Sequence, residues 1–226
     1  MLSFAFLLLF SLGAFAGDLQ LTNSPAQAGS VSNLCAMSRH YCDLTYSTTS
    51  AAAQKDLVAR ALSCAQQAVE EDPTNATAHA SLAVCYAKSC TLSNVKTELA
   101  YSRLFKLEAE KAIALDPKQD VAYYLLGRWN YGIASAGLFS RAYVKVIYGG
   151  LPQASYQDAV RCFQKAVELA PNRIINHAGL AMAYEALGNK ELEIAELQKC
   201  CALKPLGPED LAARDDAEKK LAVLNP

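Results

Sequence analysis

Three histidines (His40, His79 and His177) and eight cysteines are the residues of this chain best suited to metal binding or nucleophilic catalysis. Their spacing speaks against both. No two histidines stand four residues apart, the separation that puts two ligands on one helical turn, and no cysteine pair has the two-residue gap of a zinc or redox motif. No serine or cysteine nucleophile motif accompanies a histidine. Gly149-Gly150 runs into Leu151-Pro152 and reads as a loop between helices, not as a phosphate cradle. The sequence therefore predicts no enzyme, no metal site and no cofactor, and it predicts no nucleic-acid partner.

The elements behind these residues form a periodic frame. Pro73, Pro117, Pro171 and Pro205 each follow a small residue by five positions: Ala68, Ala112, Ala166 and Cys200. That is the tail of a tetratricopeptide repeat, a helical hairpin recurring every 34 residues. The last two prolines are 34 apart and the earlier intervals are 44 and 54, so about 10 and about 20 residues are inserted into an otherwise regular scaffold. Whether they lengthen helices or add new ones stays open. Other positions keep phase: Leu82-Ala83 and Tyr86, Leu126-Gly127, Ala159 and Phe163, Leu180-Ala181 with Tyr184 and Gly188. His79 and His177 both occupy the Trp-like repeat site and read as packing residues. The first repeat keeps only its second helix, with Ala61 and Ala65, as terminal repeats often do.

With 226 residues, 52% hydrophobic and 19% charged, the chain suits one folded domain with a continuous core, which we place at residues 31–226. No stretch alternates apolar and polar residues like a strand, so the fold class is all-α. The expected architecture is a tetratricopeptide-like helical-hairpin solenoid with enlarged second and third hairpins and a C-terminal capping helix. Leu34, Met37, Tyr41 and Leu44 share a face of a starting helix, and Glu209 to Leu224, opening after Pro208, forms the closing one.

Two surfaces are candidates for binding. The inner curve of such a solenoid is its usual docking face, and here it takes Lys88, Tyr124, Arg128, Tyr131, Ile175 and Met182, a largely apolar groove with two positive points. Such a groove suits an amphipathic helix, a hydrophobic peptide, or an acyl chain with an anionic head. It lacks the lysine and asparagine pairs that clamp a C-terminal carboxylate. The second surface surrounds the large insertion: between residues 121 and 165, Arg128, Arg141, Lys145, Arg161 and Lys165 face one acid, Asp158, for a net +4 in a chain of net −1. If residues 140–148 are helical, Arg141 and Lys145 share a face while Leu138, Ala142, Val146 and Ile147 pack inward. Arg141, Lys145, Arg161 and Lys165 then form a basic patch for an anionic partner, or simply a solvated face.

Leu2 to Ala16 is an uncharged apolar stretch ending in Ala14-Phe15-Ala16, which reads as a secretory signal with a small-residue cleavage site, although no Lys or Arg precedes it. Its 15 residues fall short of the roughly 20 needed to span a bilayer, leaving a shallow membrane anchor as the alternative for 1–16. Residues 17–30 read as a flexible lead. After cleavage, cysteines 35, 42, 64, 85, 90, 162, 200 and 201 remain, an even number compatible with disulfides of unreadable connectivity or with buried thiols. Cys35 and Cys42 lie about 10 Å apart along one helix, too far to bond each other. Asn75-Ala76-Thr77 is a glycosylation sequon expected at an exposed repeat start.

Leu125-Leu126-Gly127-Arg128-Trp129, the long insertion through Tyr148-Gly149-Gly150-Leu151-Pro152-Gln153-Ala154-Ser155, Asp158-Ala159 and the late Pro208-Glu209-Asp210-Leu211 together resemble the regulator of microtubule dynamics family. The likeness covers roughly residues 55–224. It implies a helical-repeat, non-enzymatic scaffold with enlarged hairpins. Members associate with microtubules or sit at mitochondrial and endoplasmic-reticulum membranes, one of them binding phospholipid. The resemblance thus implies a protein or peptide partner such as tubulin, with an anionic phospholipid as the alternative ligand. A cleaved signal would place the chain in the secretory pathway or outside the cell; otherwise it is cytoplasmic, microtubule-associated or membrane-anchored. Trp129, the lone tryptophan, is expected to lock the core, with Arg128 beside it contacting ligand.

Overall fold

Small polar residues open the helices. The computed structural model describes residues 30–224, apart from the side chains of Phe139, Ile147 and Tyr148. The expected signal or anchor at 1–16 and nearly all of the lead at 17–30 lie outside the described residues. Ser30, Ser50, Asn75, Asn94, Ser155 and Asn189 each accept a backbone N–H from the helical turn they precede, pairing a donor that every helix start leaves open. The helices are α1 (Val31–Leu44), α2 (Ala51–Glu71), α3 (Ala76–Thr91), α4 (Val95–Leu115), α5 (Asp120–Ala134), α6 (Leu138–Tyr148), α7 (Tyr156–Leu169), α8 (Ile174–Ala186), α9 (Lys190–Ala202) and α10 (Pro208–Leu224). A 3-10 turn, Thr45–Ser47, follows α1, and the described residues contain no strand. This is the expected all-α hairpin solenoid.

The hairpins are α1/α2, α3/α4, α5/α7 and α8/α9, with α10 covering the last. Ala61, Ala65, Ala68, Ala109, Ala112, Ala159, Ala166 and Cys200 have no exposed surface, because a side chain larger than a thiol would hold the crossing helices apart. Phe163 shows the same logic inverted. Its ring is fully buried and lies so close to Gly127 of α5 and Gly179 of α8 that a Cβ on either glycine would meet it at 2.6 and 2.5 Å. Glycine at those two sites is what lets α7 seat its phenyl ring between two inner helices. Trp129 is buried as expected, its indole N–H donating to Ser102 Oγ at 3.1 Å.

The two insertions are accommodated differently. The shorter one lengthens the second hairpin, giving α3 and α4 16 and 21 residues. The longer one adds a separate helix, α6, between the paired α5 and α7. Two expected faces are corrected. In α1 the buried stripe is Leu34, Cys35, Ser38 and Cys42, while Leu44 is 37% exposed; small residues occupy the side on which α2 and α3 approach. Among the described side chains of α6 the inward one is Val144, whereas Ala142 is exposed and Leu138 and Val146 are 86% and 81% exposed; Ile147, also expected inward, lies outside the described side chains.

His79 and His177 are buried, as packing residues should be, but they are also polar ties. His79 Nδ1 meets Glu108 Oε2 of α4 at 2.5 Å, and its Nε2 donates to the Pro73 carbonyl at 2.9 Å. His177 repeats this with Glu196 Oε2 of α9 at 2.6 Å and the Pro171 carbonyl at 2.8 Å. Lys111 and Lys199 donate to the second carboxylate oxygens at 3.0 and 2.8 Å. Burial raises the pKa of Glu196, but its bonds from His177 and Lys199 prevail and hold it below its ordinary value. Each quartet closes its hairpin and pins the turn before it. All eight cysteines are free thiols, Cys35, Cys42, Cys85, Cys90 and Cys200 being buried.

Candidate functional site

The first helices of the hairpins, α1, α3, α5 and α8, pack side by side and leave a cavity of about 480 Å³ on their shared inner face. The turn after α1 and the start of α10 close its ends, so the first and last described segments face each other across it. Ala80, Val84, Ala87, Phe105, Leu125, Ile175 and Leu206 supply an apolar wall, while Arg39, Asp43, Lys88, Arg128, Arg173 and Glu209 bring charge to its edge.

Of the six residues expected in the groove, Lys88, Tyr124, Arg128 and Ile175 line this cavity. The other two stand elsewhere: Tyr131 packs on Tyr156 with ring centroids 5.3 Å apart, and Met182 packs against the main core. Lys88 Nζ donates to Thr45 Oγ1 at 3.0 Å and lies 4.2 Å from the Tyr46 ring centroid. Burial lowers its pKa despite the acids around it, because a low-dielectric site disfavours an ammonium. Arg128 Nη1 donates to the Tyr124 hydroxyl at 2.9 Å, and burial pushes the Tyr124 phenol up.

The electrostatic hub of the cavity is Arg173, which the sequence reading did not single out. Its guanidinium donates to Asp120 Oδ2 at 3.0 Å and to Glu209 Oε1, so it ties α5 and α10 to the start of α8. Burial alone would lower its pKa, but Glu209 and Asp120 raise it. Behind it, fully buried Asp210 accepts backbone N–H groups from Ile175 at 2.9 Å and Leu206 at 3.1 Å. On the opposite side Asp43 is pushed up to about 6, first by burial and then by repulsion from Glu209. The only sequence clue to this hub was the Pro208-Glu209-Asp210 run opening the last helix. That run carried no signal of which earlier residues it meets.

Of the four cations expected to form a basic patch, three have partners within the chain. Arg141 is spent on its own chain, donating to the carbonyls of Ile133 at 2.7 Å and Ala136 at 2.9 Å and so capping α5. Arg161 pairs with Asp158, and Lys165 with Glu168 at 2.7 Å. Lys145 is exposed on α6. Asn75, the sequon asparagine, is half-buried and caps α3, its carboxamide oxygen accepting from Ala78 N at 3.1 Å. Among the described residues no group of three or more His, Cys, Asp or Glu side chains is placed to hold a metal, and no helix is long and apolar enough to cross a membrane.

Comparison with known proteins places this geometry. The model of the family Regulator of microtubule dynamics protein 1-3 matches residues 13–225. The chain belongs to that family. It is 32% identical over 179 residues to Regulator of microtubule dynamics protein 1 of Mus musculus, covering 79% of this chain and 59% of that protein. It is 27% identical over 190 residues to Regulator of microtubule dynamics protein 3 of Xenopus laevis, covering 82% and 40%. The chain thus spans less than two thirds of the length of these relatives. Among solved structures it is similar to the tetratricopeptide-repeat protein TTC0263 of Thermus thermophilus, with a TM-score of 0.61 at 16% identity, covering 88% of this chain and 84% of that one. That likeness concerns the fold alone. Within this regulator-family chain, the inner cavity takes side chains from all four hairpins and from α10.

Proposed function

We propose that this member of the regulator family is a non-enzymatic helical-repeat scaffold that takes a segment of a protein partner into its inner cavity, tubulin being the partner to test first. One observation carries the reading: a cavity of about 480 Å³ on the face where repeat stacks hold peptides. An apolar wall edged by the cations Arg39, Lys88 and Arg128 and the acids Asp43 and Glu209 suits an amphipathic chain. The relatives' names support a microtubule role, which would place the chain in the cytoplasm. With Arg141 capping α5, docking is assigned to the cavity rather than to the α6 and α7 cations. The test is co-pelleting of the full chain with polymerised tubulin. Wild type should sediment, and Lys88→Glu with Arg128→Glu should weaken binding about tenfold or more, since close charge pairs govern such contacts. A wild type that stays in the supernatant, or a double variant that pellets equally, overturns the proposal.

A second reading is favoured by the position of Lys88 and Arg128 beside Val84, Leu125 and Ile175, an arrangement that would receive an anionic headgroup and its acyl chain. Native mass spectrometry showing no co-purified lipid, together with no uptake of added phosphatidic acid, would remove it.

A further inference from the structure

Helix α6 is oriented against the usual rule for a soluble protein. Leu138, Ala142 and Val146 succeed one another every four residues, so they fall within about 80° of one another on one side of the helix. That side faces outward: Leu138 is 86% and Val146 81% exposed, while Val144, roughly opposite, is buried to 1%. Ala142 is exposed as well, and Tyr143 is 45% exposed beside the stripe. The helix cannot roll to bury this face, because the Arg141 guanidinium is anchored on the carbonyls of Ile133 and Ala136 at the end of α5. An apolar stripe is thereby held in water at a cost that a binding surface would recover.

We infer that α6 is a membrane-docking helix that settles into the headgroup layer of an anionic lipid surface. Charge chooses this occupant. Lys145 is exposed at the edge of the stripe, and α6 with its flanking loops, residues 135–157, contains Arg141 and Lys145 but no acid, so the opposing surface must be negative or neutral. A second copy of the chain would bring the same cations together. Its placement agrees: α6 makes only slight contact with the other helices, so its outward side is not covered by the rest of the fold. A short helix with outward leucine and valine, a tyrosine beside them and a lysine at the rim is the pattern of interfacial insertion. This surface is separate from the inner cavity, so it stands whether or not the cavity takes lipid.

Hydrogen exchange read by mass spectrometry on the full chain, with and without vesicles, localises the contact. Phosphatidylcholine vesicles containing phosphatidylserine should slow exchange in residues 138–148 by about tenfold or more, and pure phosphatidylcholine much less. Leu138→Ser with Val146→Ser should remove that protection without changing the melting temperature, because both side chains already lie in water. Lys145→Gln should weaken vesicle binding about fivefold, the contribution of one cation near an anionic surface. Protection confined to residues 1–29 or to the cavity helices would overturn the inference. So would vesicle binding unchanged in the double serine variant, or a concentration-dependent dimer that the same variant abolishes, which would make the stripe a contact between copies.

Discussion

Gly179→Ala sets two opposing effects against each other at a defined distance. Inside a helix, alanine is favoured over glycine by about 1 kcal/mol, so at an open position the change would stabilise. Position 179 is not open. An alanine Cβ there would lie 2.5 Å from Cε1 and 2.7 Å from Cδ1 of Phe163, and the ring cannot retreat because Gly127 backs it with only 2.6 Å available to a Cβ of its own. Overpacking a sealed core costs about 1–3 kcal/mol, which leaves a net loss of up to about 2 kcal/mol after the helix gain is subtracted. For a chain of this size that lowers the melting temperature by up to about 8 °C. The decisive assay is a double-mutant cycle in urea, followed by Trp129 fluorescence and far-ultraviolet circular dichroism. Phe163→Ala alone should cost about 3–5 kcal/mol. In that background the ring is gone, so Gly179→Ala should reverse sign and stabilise by about 1 kcal/mol. A Gly179→Ala protein more stable than wild type, or a coupling smaller than about 0.5 kcal/mol, would refute the idea that this glycine exists to admit the ring.

Three further outcomes follow from the polar groups. Glu196 has its pKa lowered in the folded state, so its stabilising effect is complete above its ordinary value of 4.5 and is lost as the pH falls through the depressed value; thermal melts across acid pH should show this loss in wild type and a smaller one in Glu196→Gln. Asp43 runs the other way: with its pKa raised to about 6, it opposes folding while ionised, so Asp43→Asn should raise the melting temperature at pH 7.5 and show progressively less advantage as the pH falls from about 6 toward 4. A thiol-labelling time course under native conditions should modify half-exposed Cys64, Cys162 and Cys201 first and spare Cys90 and Cys200, both pushed up to about 12 chiefly by burial. Fast labelling of Cys200 would mean that the α8/α9 crossing is looser than its complete burial indicates.

The recurring signal of small residue, five positions, proline was enough to place the hairpins, because the demand it expresses is local: two helices crossing at one point need a small side chain there wherever the repeat sits. Ala68, Ala112, Ala166 and Cys200 meet that demand, and all four are sealed. The histidine ties were legible in principle. His79 and His177 each stand six residues after a proline, and Glu108 and Glu196 each stand nine before the next, a recurrence that reading the histidines only as packing passed over. Glu209 beside Arg173, or Asp43 across from them, had no such signature. Their meeting depends on how much each hairpin turns relative to the last, a rotation summed over the stack and encoded in no single repeat.

Sequence alone therefore determined the class of fold, the hairpin phase, the small residues at each crossing and the family. Tertiary structure alone decided that the first and last described segments close one cavity, that Arg173 is its hub, that the larger insertion becomes a separate helix, and that this helix turns its apolar side outward. The physical reason is range. Periodicity reports what a residue needs from neighbours within its own hairpin, whereas the cavity and the outward stripe arise from contacts between hairpins and from one guanidinium, Arg141, capping a helix other than its own.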